Sequence, residues 1–159
     1  DANAARFFKA GKATALVARE KAYNAEAMIT FYPEDYTAPL PVTEGSFDLL
    51  ISQYAGPVSE HCKRYLRSGG ILIVNNSHGD AGLAHNDPDF ELVAVIKRRV
   101  TKFTLSHSDL GAYFVPKTRV LPADREAERA YLLDLGRGVG YVKSAADYVF
   151  RKHTTSAPG

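Results

Sequence analysis

The sequence predicts an α/β domain, a three-layer sandwich with helices on both faces of a mainly parallel sheet. Three observations lead there. FDLLIS (Phe47 to Ser52) and ILIV (Ile71 to Val74) read as near-continuous apolar strands, the pattern of a sheet covered on both faces. Between them, residues 58–68 set Val58, Cys62, Tyr65 and Leu66 on one helical face, which makes a parallel strand–helix–strand crossover. Elsewhere strand signals alternate with helix signals before a few successive strands.

The elements follow in order. Residues 1–11 read as a short helix capped by Asp1, with Ala4, Phe7 and Phe8 apolar and Gly11 as its stop. An apolar run with a branched Val at 14–18 reads as a buried strand. Residues 22–28 are helix-friendly, and 29–36 read as a strand broken by Pro33. A Pro- and Gly-rich loop leads to the Phe47 strand. Gly56-Pro57 turns the chain into the 58–68 helix, which Gly69-Gly70 ends.

Residues 75–89 are polar and read as a loop at the carboxyl end of the second strand. Residues 90–99 and 102–108 read as strands joined at a basic turn, with 112–115 as an edge strand or loop. Residues 123–135 read as a charged amphipathic helix with Ala130, Leu132, Leu133 and Leu135 available for burial, stopped by Gly136. The cluster Gly136-Arg137-Gly138-Val139-Gly140 follows a helix rather than a strand, so it reads as a turn and not a phosphate loop. Residues 144–152 read as a last helix capped by Ser144. Residues 1–152 are thus expected to form one domain, with 153–159 a flexible tail.

Composition excludes several classes. With 159 residues, 45% hydrophobic and 24% charged, the chain is neither disordered nor fibrous. Twenty Lys and Arg against eighteen Asp and Glu leave +2, too balanced to indicate nucleic acid or a membrane surface. A single Cys62 cannot form an internal disulfide, which favours a reducing compartment and a cytoplasmic location. No apolar run reaches a membrane span, and no signal peptide opens the chain.

In open α/β sheets, ligands bind beyond the carboxyl ends of the strands. Those ends carry Arg19-Glu20, then Glu34-Asp35-Tyr36, then Gln53-Tyr54, then Asn75-Asn76-Ser77-His78. In order and spacing, PEDYTAPLP, SFDLLISQYAGP and KRYLRSGGILIVNNS resemble class I S-adenosylmethionine-dependent methyltransferases over roughly residues 1–97. The resemblance implies a Rossmann-like, methyltransferase-type sheet with S-adenosylmethionine as cofactor. It implies that Glu20 holds the ribose hydroxyls, Asp35 the adenine amine and the Tyr36 N–H a ring nitrogen. Gln53 and Tyr54 would border the cofactor. Asn75, Asn76, Ser77 and Asp80 would face an unidentified methyl acceptor, with His78 taking its proton.

The family's glycine-rich loop after the first strand is not in this chain, so the resemblance leads us to expect upstream residues that carry it. The segment Ser52 to Pro57 departs from the Asn/Asp-Pro-Pro-aromatic signature of amine-directed members, which argues against a DNA-amine acceptor.

Two other readings stand beside this one. His78, Asp80, His85 and Asp87 offer imidazole and carboxylate groups at short spacing for a metal-assisted hydrolase, although no familiar zinc spacing is present. A methyltransferase-like module that binds without catalysis is the third. His61, His107 and His153 read as satisfied or solvated, the Lys97 to Arg99 run as a solvated hairpin end, and Cys62 as a small buried hydrophobe.

Overall fold

The computed structural model describes residues 2–118 and 121–154. The chain divides into two compact units, 1–40 and 41–159. The expected Asp1 cap and residues 155–159 of the expected tail lie outside the described residues.

In the first unit, helices α1 (Ala2–Lys9) and α2 (Lys12–Glu20) meet at Gly11, whose φ of +67° is the left-handed conformation glycine adopts without strain. Phe8 of α1 stacks on Phe31 with ring centroids 4.5 Å apart. Residues 14–18, expected as a strand, are the middle of α2. Their alanines are strong helix formers, and a five-residue apolar run carries no period long enough to separate the two states. Residues 22–36, expected as helix and strand, have neither.

The second unit is built on a five-stranded sheet of order β1-β2-β5-β3-β4. Its strands are β1 (Phe47–Ser52), β2 (Leu66–Val74), β3 (Phe90–Arg99), β4 (Lys102–Ser106) and β5 (Asp147–Lys152). The expected crossover is present: β1 and β2 are parallel, joined through α3 (Val58–Cys62) and a 3₁₀ turn, Lys63–Tyr65. Every other pair is antiparallel. The domain is therefore α+β with a mixed sheet, and the expected mainly parallel, Rossmann-like three-layer sandwich is not what forms.

The decisive difference is β5. Its residues were expected in a helix at 144–152, but Tyr148, Val149 and Phe150 enter the sheet between β2 and β3 and are buried on both sides. Aromatic and branched side chains suit that pleated, enclosed surface better than a helix. On one face, the β1 edge of the sheet leaves apolar side chains exposed. Phe47, Leu49 and Ile51 project from it at 45%, 46% and 56% exposure, where a third layer would have covered them.

On the other face, Leu72, Val74, Val95, Tyr148 and Phe150 pack with Tyr113 and with Ala81 and Ala84 of α4 (Asp80–Asn86). Each large side chain so buried contributes about 1.5–3 kcal/mol. Helix α5 (Arg125–Leu135) adds Leu132 to a second cluster with Leu83, Val139 and Tyr141. It starts as a capped helix should, with the Asp124 carboxylate accepting from the Ala127 N–H at 2.9 Å, and ends at Gly136 with φ +62°.

Two further expectations are corrected. Residues 58–68 are not one helix, and Gly69-Gly70 do not end it. Both glycines lie inside β2, where Gly69 at φ +74° accommodates a break in register against β1. Residues 75–89 are not all loop, because α4 forms within them, opened by Asp80 and followed by Pro88.

Among the described residues, no helix is long and apolar enough to cross a membrane.

Candidate functional site

Because β5 runs antiparallel to both β2 and β3, strands β1, β2 and β3 point the same way. Their carboxyl ends share one edge of the sheet, and Asp147, the first residue of β5, meets them there. Gln53 follows β1 directly and Asn75 follows β2 directly, with the Asn75 N–H donating to the Ser52 carbonyl at 3.3 Å.

Side chains at this edge form one connected chain. Gln53 donates through Nε2 to Asp147 Oδ1 at 2.8 Å and accepts at Oε1 from Asn75 Nδ2 at 3.0 Å. Asn75, only 6% exposed, accepts at Oδ1 from the Ser77 backbone N–H at 3.2 Å and from Ser77 Oγ at 2.8 Å. Ser77 Oγ lies 2.9 Å from His78 Nδ1. His78 and Ser77 are exposed, so the chain runs from a buried amide out to an imidazole in contact with solvent.

Asn76 turns the other way. Its Nδ2 donates to the Val139 carbonyl at 3.1 Å, while its Oδ1 is buried with no hydrogen-bond partner. This contact seats the Gly136 to Gly140 loop on the turn that carries His78. The fit is tight: a Cβ on Gly138 would stand 2.0 Å from the Asn76 carbonyl oxygen, and one on Gly79 would meet the Arg137 carbonyl at 3.1 Å. Gly138→Ala is therefore expected to push the two loops apart at a cost of about 2 kcal/mol, in the range for overpacking. Urea denaturation would measure it, and a midpoint equal to that of the unaltered chain would disprove the packing.

Asp80 lies beneath the edge at 2% exposure. Its carboxylate accepts from Ser52 Oγ at 2.5 Å, from the Ser59 N–H at 3.1 Å and from Ser59 Oγ. Burial pushes its carboxyl above the usual range, a shift the serine bonds only moderate. Asp80 thereby ties β1, α3 and α4 together and turns no oxygen toward an acceptor at the surface. Tyr54, by contrast, is 75% exposed and sits at φ +55°, unusual for a residue with a Cβ.

Glu20, Asp35 and Tyr36 belong to the 1–40 unit. Glu20 is the last residue of α2 rather than a strand end, exposed and paired with Arg19 at 2.7 Å. Asp35 closes its own turn, accepting at Oδ1 from the Thr37 N–H at 2.9 Å and from Thr37 Oγ1 at 2.8 Å. Tyr36 is half-buried.

The metal quartet is not gathered. Asp80 is held by its serines, and the His85 ring stacks on Phe114 with centroids 4.0 Å apart. Asp87, 1% exposed, accepts from Lys63 Nζ at 2.6 Å. Among the described residues no group of three or more His, Cys, Asp or Glu could hold a metal ion.

Sequence reasoning thus named four members of the chain, Gln53, Asn75, Ser77 and His78, and missed the fifth. Asp147 had one available signal, an acidic residue just before the run Tyr148 to Phe150, which marks a strand start as readily as a helix interior. No protein-family model, curated protein or solved structure matches this chain.

Proposed function

We propose that this chain transfers a methyl group from S-adenosylmethionine to an acceptor whose proton is taken by His78. The observation that carries the reading is the gathering of Gln53, Asn75, Ser77 and an exposed His78 at the carboxyl edge of the parallel pair. Three sequence stretches that resemble the methyltransferase family support it, and the sheet class does not.

When bound, S-adenosylmethionine supplies an electrophilic methyl group carried on a sulfonium. Glu20, Asp35 and Tyr36, to which the resemblance gives the ribose and the adenine, belong to the 1–40 unit, where Glu20 pairs with Arg19 and Asp35 closes its own turn, so the reading does not rest on them. His78 would accept the proton of a hydroxyl or amine, the step for which an imidazole is suited near neutral pH. Nothing in the side-chain arrangement favours metal-assisted hydrolysis, since the four residues it needs are engaged separately.

The test has two stages. S-adenosylhomocysteine at about a hundredfold excess over its Kd should stabilise the full chain by about 2.7 kcal/mol, read as a rise in Tm. A methyl-transfer screen over small hydroxyl and amine acceptors should then find an activity that His78→Ala lowers by about 10²–10⁴-fold. No stabilisation by S-adenosylhomocysteine overturns the cofactor. Undiminished turnover in His78→Ala overturns the role of His78. Binding without turnover on any acceptor would favour a non-catalytic module.

A further inference from the structure

We infer that Ser77, Asn75, Gln53 and Asp147 are positioning residues that hold His78 in the tautomer protonated at Nδ1, leaving Nε2 as the proton-accepting atom. That Nε2 serves methyl transfer rests on the reading above. The tautomer rests on the hydrogen bonds alone.

The direction of every proton can be followed from both ends of the chain. A backbone N–H only donates, so the Ser77 N–H, 3.2 Å from Asn75 Oδ1, identifies that atom as oxygen. Asn75 Nδ2 must then be the atom facing Gln53, and it donates to Gln53 Oε1. From the other end, the Asp147 carboxylate only accepts, so the Gln53 atom 2.8 Å from it is Nε2. Gln53 Oε1 must then be the atom facing Asn75. The two ends, each orienting one amide, assign the same orientation to both.

The serine hydroxyl follows. Ser77 Oγ stands 2.8 Å from Asn75 Oδ1, an atom that carries no proton, so the hydroxyl hydrogen lies between them. What Ser77 Oγ presents to His78 Nδ1 at 2.9 Å is a lone pair, and Nδ1 must bring the hydrogen. The reverse arrangement would press two bare oxygens together at 2.8 Å and forfeit a hydrogen bond. Free imidazole prefers its hydrogen on Nε2, so the chain selects the other form. Protonation at Nε2 leaves the Nδ1–H bond to Ser77 intact, and the ring takes up a proton without turning. Asp147 gives this chain its negative end, on a strand far away in sequence.

The experiment uses the full chain labelled with ¹⁵N-histidine, read by long-range ¹H–¹⁵N correlation at a pH where the ring is neutral. His78 is assigned by the signal lost in His78→Gln. The hydrogen should lie on Nδ1 in the unaltered chain, move to Nε2 in Ser77→Ala, and return to Nδ1 in Ser77→Thr, which keeps the hydroxyl. Asp147→Ala should leave the fold intact while the Gln53 side-chain amide protons exchange about tenfold faster, the loss of roughly one net hydrogen bond. A ring protonated at Nε2 in the unaltered chain overturns the inference, as does a tautomer indifferent to Ser77→Ala. Unchanged Gln53 exchange in Asp147→Ala removes Asp147 from the chain. None of these readouts needs cofactor or acceptor. The tautomer found in a protein that ignores S-adenosylhomocysteine would sink methyl transfer alone, and binding without the tautomer would sink only the positioning.

Discussion

Asp80→Ala is expected to destabilise the chain by about 3–5 kcal/mol, the largest single effect anticipated here. The carboxylate is the shared acceptor for Ser52 Oγ, the Ser59 N–H and Ser59 Oγ, and both serines are buried. Alanine would leave those donors with no partner and no water, at about 1–3 kcal/mol for each buried group. It would also loosen the junction where β1 ends and where α3 and α4 begin. Asp80→Asn should cost roughly half as much, because one acceptor survives while the new amide faces donors. Urea unfolding followed by circular dichroism would measure both. Equal midpoints for Asp80→Ala and the unaltered chain would show that the serines find other partners.

The second large effect depends on pH. Burial against Phe114, helped by the nearby Arg125, lowers the His85 ring from its ordinary 6.5 to about 4. A depressed base stabilises the fold above its unfolded value and loses that contribution as pH falls. Between pH 6.5 and about 4 the unfolded chain takes up a proton that the folded chain refuses. Each pH unit in that window costs up to about 1.4 kcal/mol, which the partial exposure of the ring reduces through solvent screening. Lowering the pH from 7 to 5 should therefore remove about 1–2 kcal/mol through His85 alone. Carboxylates shift as well, Asp80 upward toward this window and Asp89 downward away from it. Asp89, held down by its bond to Lys63, loses stabilisation on acidification, whereas buried Asp80, pushed up, gains it. The difference between the unaltered chain and His85→Phe isolates the imidazole, since phenylalanine keeps the stack on Phe114 without titrating. Identical losses of stability in the two proteins between pH 7 and pH 5 would refute this account.

Much of the second unit was legible because its signals are local. The apolar runs at Phe47 to Ser52 and Ile71 to Val74 and the pattern of 90–106 give strands in the structure. Between the first two, one short helix and a 3₁₀ turn suffice for a parallel crossover. The amphipathic period of 123–135 and the stop at Gly136 give α5 almost to the residue. The turn Asn75 to His78 stood out as a cluster of polar side chains just past a buried strand, and the structure gathers Asn75, Ser77 and His78 there.

Two of the misreadings share one physical cause. Short apolar runs such as 14–18 and 148–150 suit a helix or a strand, and what decides is whether a ladder partner exists elsewhere. For 14–18 no strand pairs with it among the described residues, and its alanines prevail as helix. For Tyr148 to Phe150 both β2 and β3 stand ready on either side, and six residues of strand replace an expected helix.

By itself, the sequence determined where apolar strands and amphipathic helices lie along most of residues 47–135, because these depend on neighbours within a turn or a pleat. It also located the polar turn that bears His78. Only the tertiary structure decided the sheet class, through the insertion of β5 antiparallel between β2 and β3. The same insertion brought Asp147 to Gln53 across 94 positions of sequence. Strand pairing and side-chain hydrogen bonding join groups by distance in space, and no pattern read along the chain encodes that distance.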